Sequence, residues 1–439
     1  MGLRFDSLTR TLGKLGSLSS KSFALRVAGL VSTFGLGILL ARSLGPTEYG
    51  IYGLVTTLAA LAMTIAQLGT PQLAVRDLSV LSTRHEWSQV RRLVRTFTMA
   101  TALMGLALGS LAVAATLAVF PSRFVLPAAQ GSILMVFMAL TSLSASQLRG
   151  LGAILKGQSM DNLGRPAVAL ALVAAFLIAG FRLTATVALW IQIVVAVAST
   201  IISYFWIARL MPRSTSVEDS PPMRWIGAAL PLGAVDVLRQ LDGAYGMILV
   251  GWLASGAELG VYRVAVACMV LSSMPVTIVH VIYAPDLARL YAEGKHQELQ
   301  RLLTLTSRIL TGVMLLITGG AWVLGKFALT LVFGAAYAGA WLPLFLLTCT
   351  QLIYALFGMG NILLAMCGGE RHLIAIYASA VTVAILAAIP LTYAFGAAGT
   401  AAASMITATI ICICSHRYAR HRLGVEITGL PTRKPVPRE

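Results

Sequence analysis

Apolar residues fall into long runs along the whole chain, and short polar turns separate the runs. The hydrocarbon core of a bilayer is roughly 30 Å thick, so a spanning helix needs about 20 apolar residues. Runs of this kind recur often enough to predict about twelve spanning helices and an all-α, polytopic membrane protein. The runs lie at residues 22–41, 48–68, 96–120, 130–148, 166–181, 184–207, 225–252, 260–283, 306–325, 340–364, 373–394 and 398–416, and the fifth is the shortest.

The amino-acid composition agrees with a membrane location. Hydrophobic residues make up 58% of the 439 positions, and charged residues make up only 11%. A soluble protein of this size needs more polar residues to cover its surface. The composition therefore excludes an ordinary soluble domain.

The net charge of +17 would suggest a nucleic-acid partner in a soluble protein. Here the distribution of charge gives another explanation. Of the 33 Lys and Arg residues, 26 lie on the side of the predicted helices that holds both termini. This bias places the N- and C-termini in the cytoplasm and implies no nucleic acid. Four basic residues lie on the opposite side, namely Arg42, Arg123, Arg182 and Lys326. The remaining three lie within predicted spans, namely Arg26, Arg239 and Arg263.

The basic stretch before the first apolar run, residues 1–21, resembles the start of a secretory signal peptide. The run that follows it is long and has no small-residue cleavage site after it, so we expect no cleavage. Leucines at helical spacing among the basic residues favour a helix on the cytoplasmic membrane surface. A disordered basic tail is the alternative.

No residue pattern in the sequence indicates bond-making chemistry. The five cysteines lie in or beside apolar runs without a C-x-x-C pair, which is typical of small buried hydrophobic residues. A Walker loop, an H-E-x-x-H motif and a nucleophile elbow are absent from the sequence. We therefore expect no catalytic residue, no metal and no cofactor, and the sequence does not predict an enzyme.

The second half of the chain repeats parts of the first half. The segment Leu44–Tyr52 returns 210 residues later as Ala254–Tyr262, with glutamate, glycine and tyrosine in register, and both copies lie in the predicted turn between the first two helices of a half. A second pair, Gly150–Leu155 and Gly358–Leu363, has an offset of 208 residues. Two matches in the same order at nearly one offset predict an internal duplication.

Each repeat holds six predicted helices, so both repeats start on the same side of the membrane and are parallel. Parallel repeats are typical of alternating-access transporters, in which the substrate binds between the halves near the bilayer midplane. The predicted organisation is a cytoplasmic basic segment (1–21), a six-helix lobe (22–207), a cytoplasmic linker (208–224), a second six-helix lobe (225–416) and a cytoplasmic basic tail (417–439).

Ionisable residues within a span are expensive in lipid and are functional candidates by default. Asp236, Arg239 and Asp242 are spaced by three residues, far from both ends of the predicted helix, and share one helical face. We expect this face to point into the cavity between the halves, and an ion pair that only neutralises itself is the alternative. Arg26 and Arg263 lie near the ends of their spans, where each side chain either faces the cavity or reaches the headgroups.

The motifs resemble those of a known family, the oligosaccharide-lipid flippases of the polysaccharide transporter branch. This family belongs to the multidrug/oligosaccharidyl-lipid/polysaccharide exporter superfamily. The segment Gly37–Gly50 looks like the first-hairpin signature of the family, and the resemblance covers nearly the whole chain. Asp236 and Arg239 match no position of the family pattern, so their roles rest on the physical argument alone. Other similar segments are Leu241–Asp242, Gly260–Tyr262, Ala284–Leu290, Leu331–Tyr337 and Gly396–Ala401.

The resemblance implies two six-helix lobes that form a V. It also implies that the protein moves a polyprenyl-pyrophosphate-linked oligosaccharide from the cytoplasmic to the periplasmic leaflet of the bacterial inner membrane. Such transport serves O-antigen (lipopolysaccharide), capsule or exopolysaccharide synthesis. The expected partners are the lipid-linked oligosaccharide, membrane lipids, and the polysaccharide polymerase and chain-length machinery.

A glycan head with its pyrophosphate cannot cross hydrocarbon unaided, because each unpaired polar group costs several kcal/mol there. We predict that Arg26, Arg239 and Arg263 bind the substrate, since guanidinium donors match phosphate oxygens. Asp236 or Asp242 then couples an ion gradient to transport or sets the geometry of an arginine.

Two other functions stay open. A cation-coupled drug antiporter of the same superfamily needs carboxylates in its lumen, whereas Asp77 and Asp161 in the first half lie at or beyond helix ends. A membrane glycan polymerase or ligase needs a sizeable periplasmic region, and the predicted outer loops are all short. Both functions therefore rank behind the flippase.

Overall fold

The computed structural model describes residues 2–119, 125–212, 226–357, 363 and 370–423, and all regular structure in these ranges is helical. A π-helical segment, Ser159–Gly164, joins α5 to α6, and a 3-10 helix, Ala335–Ala340, precedes α12. The helices, numbered along the chain, are α1 (Gly2–Gln67), α2 (Thr70–Thr83), α3 (Trp87–Val119), α4 (Val125–Gly150), α5 (Ile154–Gln158), α6 (Arg165–Ile178), α7 (Ala185–Leu210), α8 (Ile226–Leu253), α9 (Gly256–Ser272), α10 (Met274–Ala292), α11 (His296–Phe333), α12 (Trp341–Leu356) and α13 (Glu370–Tyr418).

Nine helical stretches in the described part of the chain are long and apolar enough to cross a membrane. Two of them, Lys21–Gln67 and Ile374–His421, have 47 and 48 residues. At 1.5 Å per residue each is about 70 Å long, more than two bilayer cores. Each breaks at a glycine with non-helical dihedral angles, Gly45 (φ 72°, ψ 173°) or Gly396 (φ 56°, ψ −134°), and so supplies two crossings. Because two of the nine stretches cross twice, they supply eleven crossings, and α8 adds a twelfth. This confirms the prediction of about twelve spans.

Corresponding helices begin at nearly constant offsets, which confirms the internal repeat. The first copy of the repeated motif begins a helix after the break at Gly45, so most of the motif is helical and not a turn. The second copy begins α9 in the same way. The second predicted match, Gly358–Leu363, lies outside the described residues except for Leu363. Equivalent starts are Pro46 and Gly256, and Trp87 and His296, at offsets of 210 and 209 residues.

The described residues form two compact units. The first takes in Met1–Leu40 and Leu58–Gly233, and the second takes in Ala41–Thr57 and Ala234–Glu439. Each of the helices α1 and α8 therefore contributes to both units. The backbone of residues 2–20 is helical and continuous with the first span. Most of the predicted linker and the end of the predicted tail lie outside the described residues.

In the first unit, α4 packs against α2, α3 and α7. Its segment Leu143–Leu148 is fully buried, although it contains two serines and a glutamine. Small residues allow helix backbones to approach closely in membranes, and hydrogen bonds between helices add to the packing. Thr141 Oγ1 lies 2.8 Å from Thr200 Oγ1, and Thr98 Oγ1 lies 3.0 Å from Tyr204 Oη. These contacts fix α3, α4 and α7 to one another.

In the second unit, α12 holds the position that α4 holds in the first, and it packs against α9, α11 and α13. A buried cluster joins α8 to α13 and thereby fixes the helix that carries the intramembrane charges. In this cluster α8 supplies a tyrosine and a leucine and α13 supplies three alanines, so the two helices fit closely. Its members are Tyr245, Leu249, Ala384, Ala388 and Ala403.

Candidate functional site

The charged residues of α8 lie in the middle of the helix. Arg239 is 13 residues beyond Ile226, or about 20 Å along the helix axis. Its side chain is exposed, whereas Asp236 and Asp242 are half-buried. An arginine that faced lipid at this depth would be costly. The face of α8 that carries Arg239 therefore has to adjoin water or a polar ligand.

Asp242 has polar neighbours from four helices of the second unit. Tyr245 Oη lies 3.0 Å from Ser404 Oγ and 3.3 Å from Thr407 Oγ1, which fixes α8 to α13 beside Asp242. Phenol hydroxyls donate hydrogen bonds to a carboxylate and also accept them. We call Asp242 and the five residues that interact with it electrostatically the Asp242 cluster: Arg239, Tyr245, Tyr262, Tyr354 and Tyr377.

The sequence predicted Arg239 and Asp242 as site residues and missed the four tyrosines. Charged residues stand out in an apolar run, but a tyrosine there looks like packing. The four tyrosines belong to α8, α9, α12 and α13, so no spacing along the chain relates them. Within the ranges that the structure describes, no group of three or more His, Cys, Asp or Glu residues is arranged to hold a metal ion.

Arg263, in the middle of α9, has a different set of contacts. Its guanidinium group interacts electrostatically with Tyr49. Its side chain fits against Gly53, where a Cβ atom would come within 2.8 Å of Arg263 Cδ. Nε of Arg263 is buried and has no hydrogen-bond partner among the described residues. One donor of this guanidinium group is therefore unused.

Arg26 lies in the first unit, exposed on α1. It interacts electrostatically with Arg149 at the end of α4, and Arg149 also interacts with Asp161. Arg149 Nη2 donates a hydrogen bond of 2.7 Å to Ser146 Oγ. Two guanidinium groups within electrostatic range attract phosphate oxygens more strongly than one. Arg149 was not among the predicted site residues, although it directly precedes the repeated motif at Gly150.

Glu258, the repeat equivalent of Glu48, caps the second part of α13. The helix breaks at Gly396, and the N–H group of Ala397 then donates a hydrogen bond of 3.2 Å to Glu258 Oε2. Ser255 Oγ accepts a hydrogen bond of 3.3 Å from Glu258 N and caps α9. A carboxylate stabilises a helix N-terminus because the free N–H groups and the helix dipole both favour negative charge.

We expect Glu258→Ala to lower the free energy of unfolding by about 1–2 kcal/mol, because a charge-assisted hydrogen bond to a helix N-terminus is lost. Glu258→Gln keeps an acceptor oxygen, so it should lower the free energy of unfolding less than Glu258→Ala does. Thermal unfolding of the purified variants in detergent measures both effects. An unchanged melting temperature for Glu258→Ala would contradict the capping role.

Solved structures with a similar fold are transporters. A multidrug resistance transporter of the MATE family of the MOP superfamily, in an inward-facing conformation, matches with a TM-score of 0.72 and 15% identity over 90% of this chain and 94% of its own. The lipid II flippase MurJ matches with a TM-score of 0.67 and 15% identity over 92% of this chain and 87% of its own. The Vibrio cholerae MATE transporter VcmN matches with a TM-score of 0.58 and 14% identity over 91% of this chain and 95% of its own. The protein is thus a multi-pass helical membrane protein with the fold of MOP-superfamily transporters.

The sequence identifies the family within this class. Residues 20–290, more than half of the chain, match the profile of the polysaccharide biosynthesis protein family. The chain belongs to this family, which confirms the resemblance found in the sequence. No curated protein matches the sequence significantly.

Proposed function

We propose that the protein is a flippase that moves a polyprenyl-pyrophosphate-linked oligosaccharide from the cytoplasmic to the periplasmic leaflet. The observation that carries the proposal is Arg239, which is exposed in the middle of a membrane helix and has Asp242 beside it. A cation at this depth needs water or a polar partner. The pyrophosphate head of a lipid-linked sugar is such a partner, because its oxygens accept hydrogen bonds from the guanidinium group of an arginine.

The comparisons support a lipid-linked substrate. The family is one of polysaccharide biosynthesis, and MurJ, which has a similar fold, is a flippase for lipid II. The proposal places the lipid tail in the membrane while the polar head passes through a polar path. The two halves would alternate between access from one side and access from the other.

Three arginines are proposed to bind the substrate at different stages. Arg26 is near the start of the first candidate span, Lys21–Gln67, whereas Arg239 is in the middle of α8 and Arg263 is in the middle of α9. Arg149 supports Arg26 in this proposal because the two groups are within electrostatic range. A head group that moves between several arginines loses and gains similar interactions at each step, so no single site holds it too tightly.

Asp236 and Asp242 are proposed to orient Arg239 or to couple transport to an ion gradient. Asp242 suits both roles, because it interacts with Arg239 and with four tyrosines. Transport with and without a sodium or proton gradient separates the two roles. Loss of transport in Asp242→Asn only when a gradient drives it would support coupling.

The charge bias supports a bacterial inner-membrane location with both termini in the cytoplasm. We propose no catalytic residue and no cofactor. Under this proposal, a polysaccharide polymerase and chain-length machinery would use the product on the periplasmic side, because the sugar becomes accessible there.

We expect Arg239→Ala to lower the transport rate by roughly 10- to 100-fold, since a hydrogen bond to a charged group contributes about 1.5–3 kcal/mol. Arg239→Lys keeps the charge but not the planar guanidinium group, so its transport rate should lie between the rates of wild type and Arg239→Ala. The assay is translocation of a fluorescent undecaprenyl-pyrophosphate oligosaccharide in proteoliposomes. Arg209→Ala, which removes an exposed arginine from the last turn of α7, is the matched control.

Equal rates for wild type and Arg239→Ala would contradict the role of Arg239. No transport by folded wild-type protein with several glycans would contradict the flippase. The second candidate is a cation-coupled drug antiporter, which the carboxylate and phenols of the Asp242 cluster favour. Ion-dependent efflux of an organic cation from the same proteoliposomes would then be the expected result.

A further inference from the structure

Asp161 is an acidic residue inside a membrane span of the first unit. It was predicted to lie at or beyond a helix end, and the structure corrects this. The helical stretch Ile154–Ile178 is long and apolar enough to cross a membrane, and Asp161 lies seven residues beyond its first residue. That distance is about 10 Å along the helix axis. A carboxylate at this depth is costly without a partner, so its neighbours indicate its role.

The π-helical segment Ser159–Gly164, which joins α5 to α6, contains Asp161. π-Helices are rare and often lie at functional sites. This segment packs closely against α1, because a Cβ atom on Gly29 would overlap the backbone carbonyl group of Asn162. Gly29 is three residues beyond Arg26, on the same side of α1. The π-helical segment therefore brings Asp161 toward the part of α1 that carries Arg26.

Arg149, in the last turn of α4, is positioned beside the same segment. Its Nη2 donates a hydrogen bond of 2.7 Å to Ser146 Oγ. A Cβ atom on Gly157 of α5 would lie 3.1 Å from Arg149 Cγ, so the arginine side chain packs on the backbone of α5. Asp161 follows Gly157 by four residues, about one turn later on the same face. The carboxylate thus lies on the side that faces Arg149, and the two groups interact electrostatically.

We call Arg26, Arg149 and Asp161 the Arg149 site. Arg26 is exposed, and the other two residues are half-buried, so an anion can approach the two guanidinium groups. The two arginines repel each other when the site is empty, and Asp161 offsets this repulsion by attracting Arg149. An anion bound to the arginines comes close to the carboxylate, which repels it. Asp161 therefore stabilises the empty site and destabilises the occupied one.

We propose that Asp161 lowers the affinity of the Arg149 site for the pyrophosphate head group and so allows the head group to leave this site during transport. Two arginines alone would hold a dianion tightly, and tighter binding of the substrate does not speed the steps that follow. Asp161 tunes the affinity and does not itself bind the substrate. This role rests on the proposed flippase function, so its test includes a measurement that needs no transport.

Binding of inorganic pyrophosphate to the purified protein in nanodiscs, at constant ionic strength, tests the site without transport. Asp161→Asn keeps the shape of the side chain and removes its charge. We expect it to bind pyrophosphate roughly 10- to 100-fold more tightly than wild type, because a like charge near the bound anion is lost. Asp77→Asn, which makes the same change beside Arg76 on α2, is the matched control and should change the affinity little. Isothermal titration calorimetry measures both affinities.

A double-mutant cycle tests whether Asp161 acts on an anion held by Arg149. Arg149→Ala alone should weaken pyrophosphate binding by roughly 10- to 100-fold, because a hydrogen bond to a charged group is lost. In the Arg149→Ala background, Asp161→Asn should raise the affinity much less than it does in wild type. Ser146→Ala, which removes the hydrogen bond that positions Arg149, should weaken binding less than Arg149→Ala does.

Transport kinetics test the role in release. The assay is translocation of a fluorescent undecaprenyl-pyrophosphate oligosaccharide in proteoliposomes. Asp161→Asn is expected to lower KM and kcat together, each by roughly tenfold, because the head group binds more tightly and leaves more slowly. If Asp161 only supported the fold, its loss would lower kcat without lowering KM.

The measurements separate failure of this role from failure of the proposed function. Pyrophosphate binding by Asp161→Asn that is no tighter than binding by wild type would overturn the role of Asp161. An equal gain in affinity for Asp77→Asn would also overturn it, and so would a lower KM with an unchanged kcat. If wild type transported no glycan, the flippase would fail, and the pyrophosphate affinities would still decide whether Asp161 weakens anion binding at the Arg149 site.

Discussion

Replacing Gly69 by alanine is expected to lower the free energy of unfolding by about 2–4 kcal/mol, for two reasons that add. Gly69 has a φ of 77°, a conformation that alanine adopts only with strain. A Cβ atom at this position would also lie 2.7 Å from the backbone nitrogen of Gly233 in the first turns of α8. The neighbour is backbone and cannot rotate away, so either α8 or the start of α2 must shift.

Two control variants separate these costs. Gly152 also has a positive φ, 83°, but a Cβ atom there meets no atom within 4 Å, so Gly152→Ala should show only the strain, about 1 kcal/mol. Gly320→Ala has neither cost and should change stability little. Thermal unfolding and monodispersity in detergent are the measurements. Equal losses for Gly69→Ala and Gly152→Ala would mean that close packing against α8 contributes nothing.

Gly399→Ala is expected to lower the free energy of unfolding by about 1–3 kcal/mol. After the break at Gly396, the second part of α13 passes close to the end of the first, and Thr392 Oγ1 lies 2.7 Å from Thr400 Oγ1. A Cβ atom on Gly399 would overlap the carbonyl group of Leu391 and lie 3.0 Å from the backbone nitrogen of Thr392. The two parts of the helix would have to separate, which would break the threonine pair.

The measurement for Gly399→Ala is the melting temperature, with Thr400→Val as a second variant that removes the hydrogen bond but keeps the shape. If Gly399→Ala lowers the melting temperature more than Thr400→Val does, the close backbone contact contributes more to stability than the threonine hydrogen bond. A melting temperature equal to that of wild type would show that α13 adjusts freely at this point.

The path of α8 also bears on function. The helix leaves the first unit after Gly233, and Asp236 follows three residues later. The intramembrane charges thus begin where the helix passes from one unit to the other. A shift of α8 caused by Gly69→Ala should therefore change transport as well as stability, which the proteoliposome assay can measure.

The candidate site was only partly predictable from the sequence. Asp236, Arg239 and Asp242 were found because charges are rare in apolar runs, and all three lie within α8. Arg149 was missed because an arginine at a helix end resembles an ordinary cytoplasmic charge. Glu258 was recognised as a repeated residue, but its partner Ala397 is 139 residues away, and no local pattern relates them.

The sequence by itself determined the helical class, the number of spans, the internal repeat and the family, because these depend on the length of apolar runs and on motif order. The tertiary structure alone decided that Ala41–Thr57 packs in the second unit and that four tyrosines accompany Asp242. It also decided which glycines separate backbones in contact. Such contacts join distant residues, as in the 296 positions between Ala41 and Tyr337, and depend on how helices pack in three dimensions. Hydrophobic patterning along one helix shows which face is apolar, but it does not show which helix that face meets.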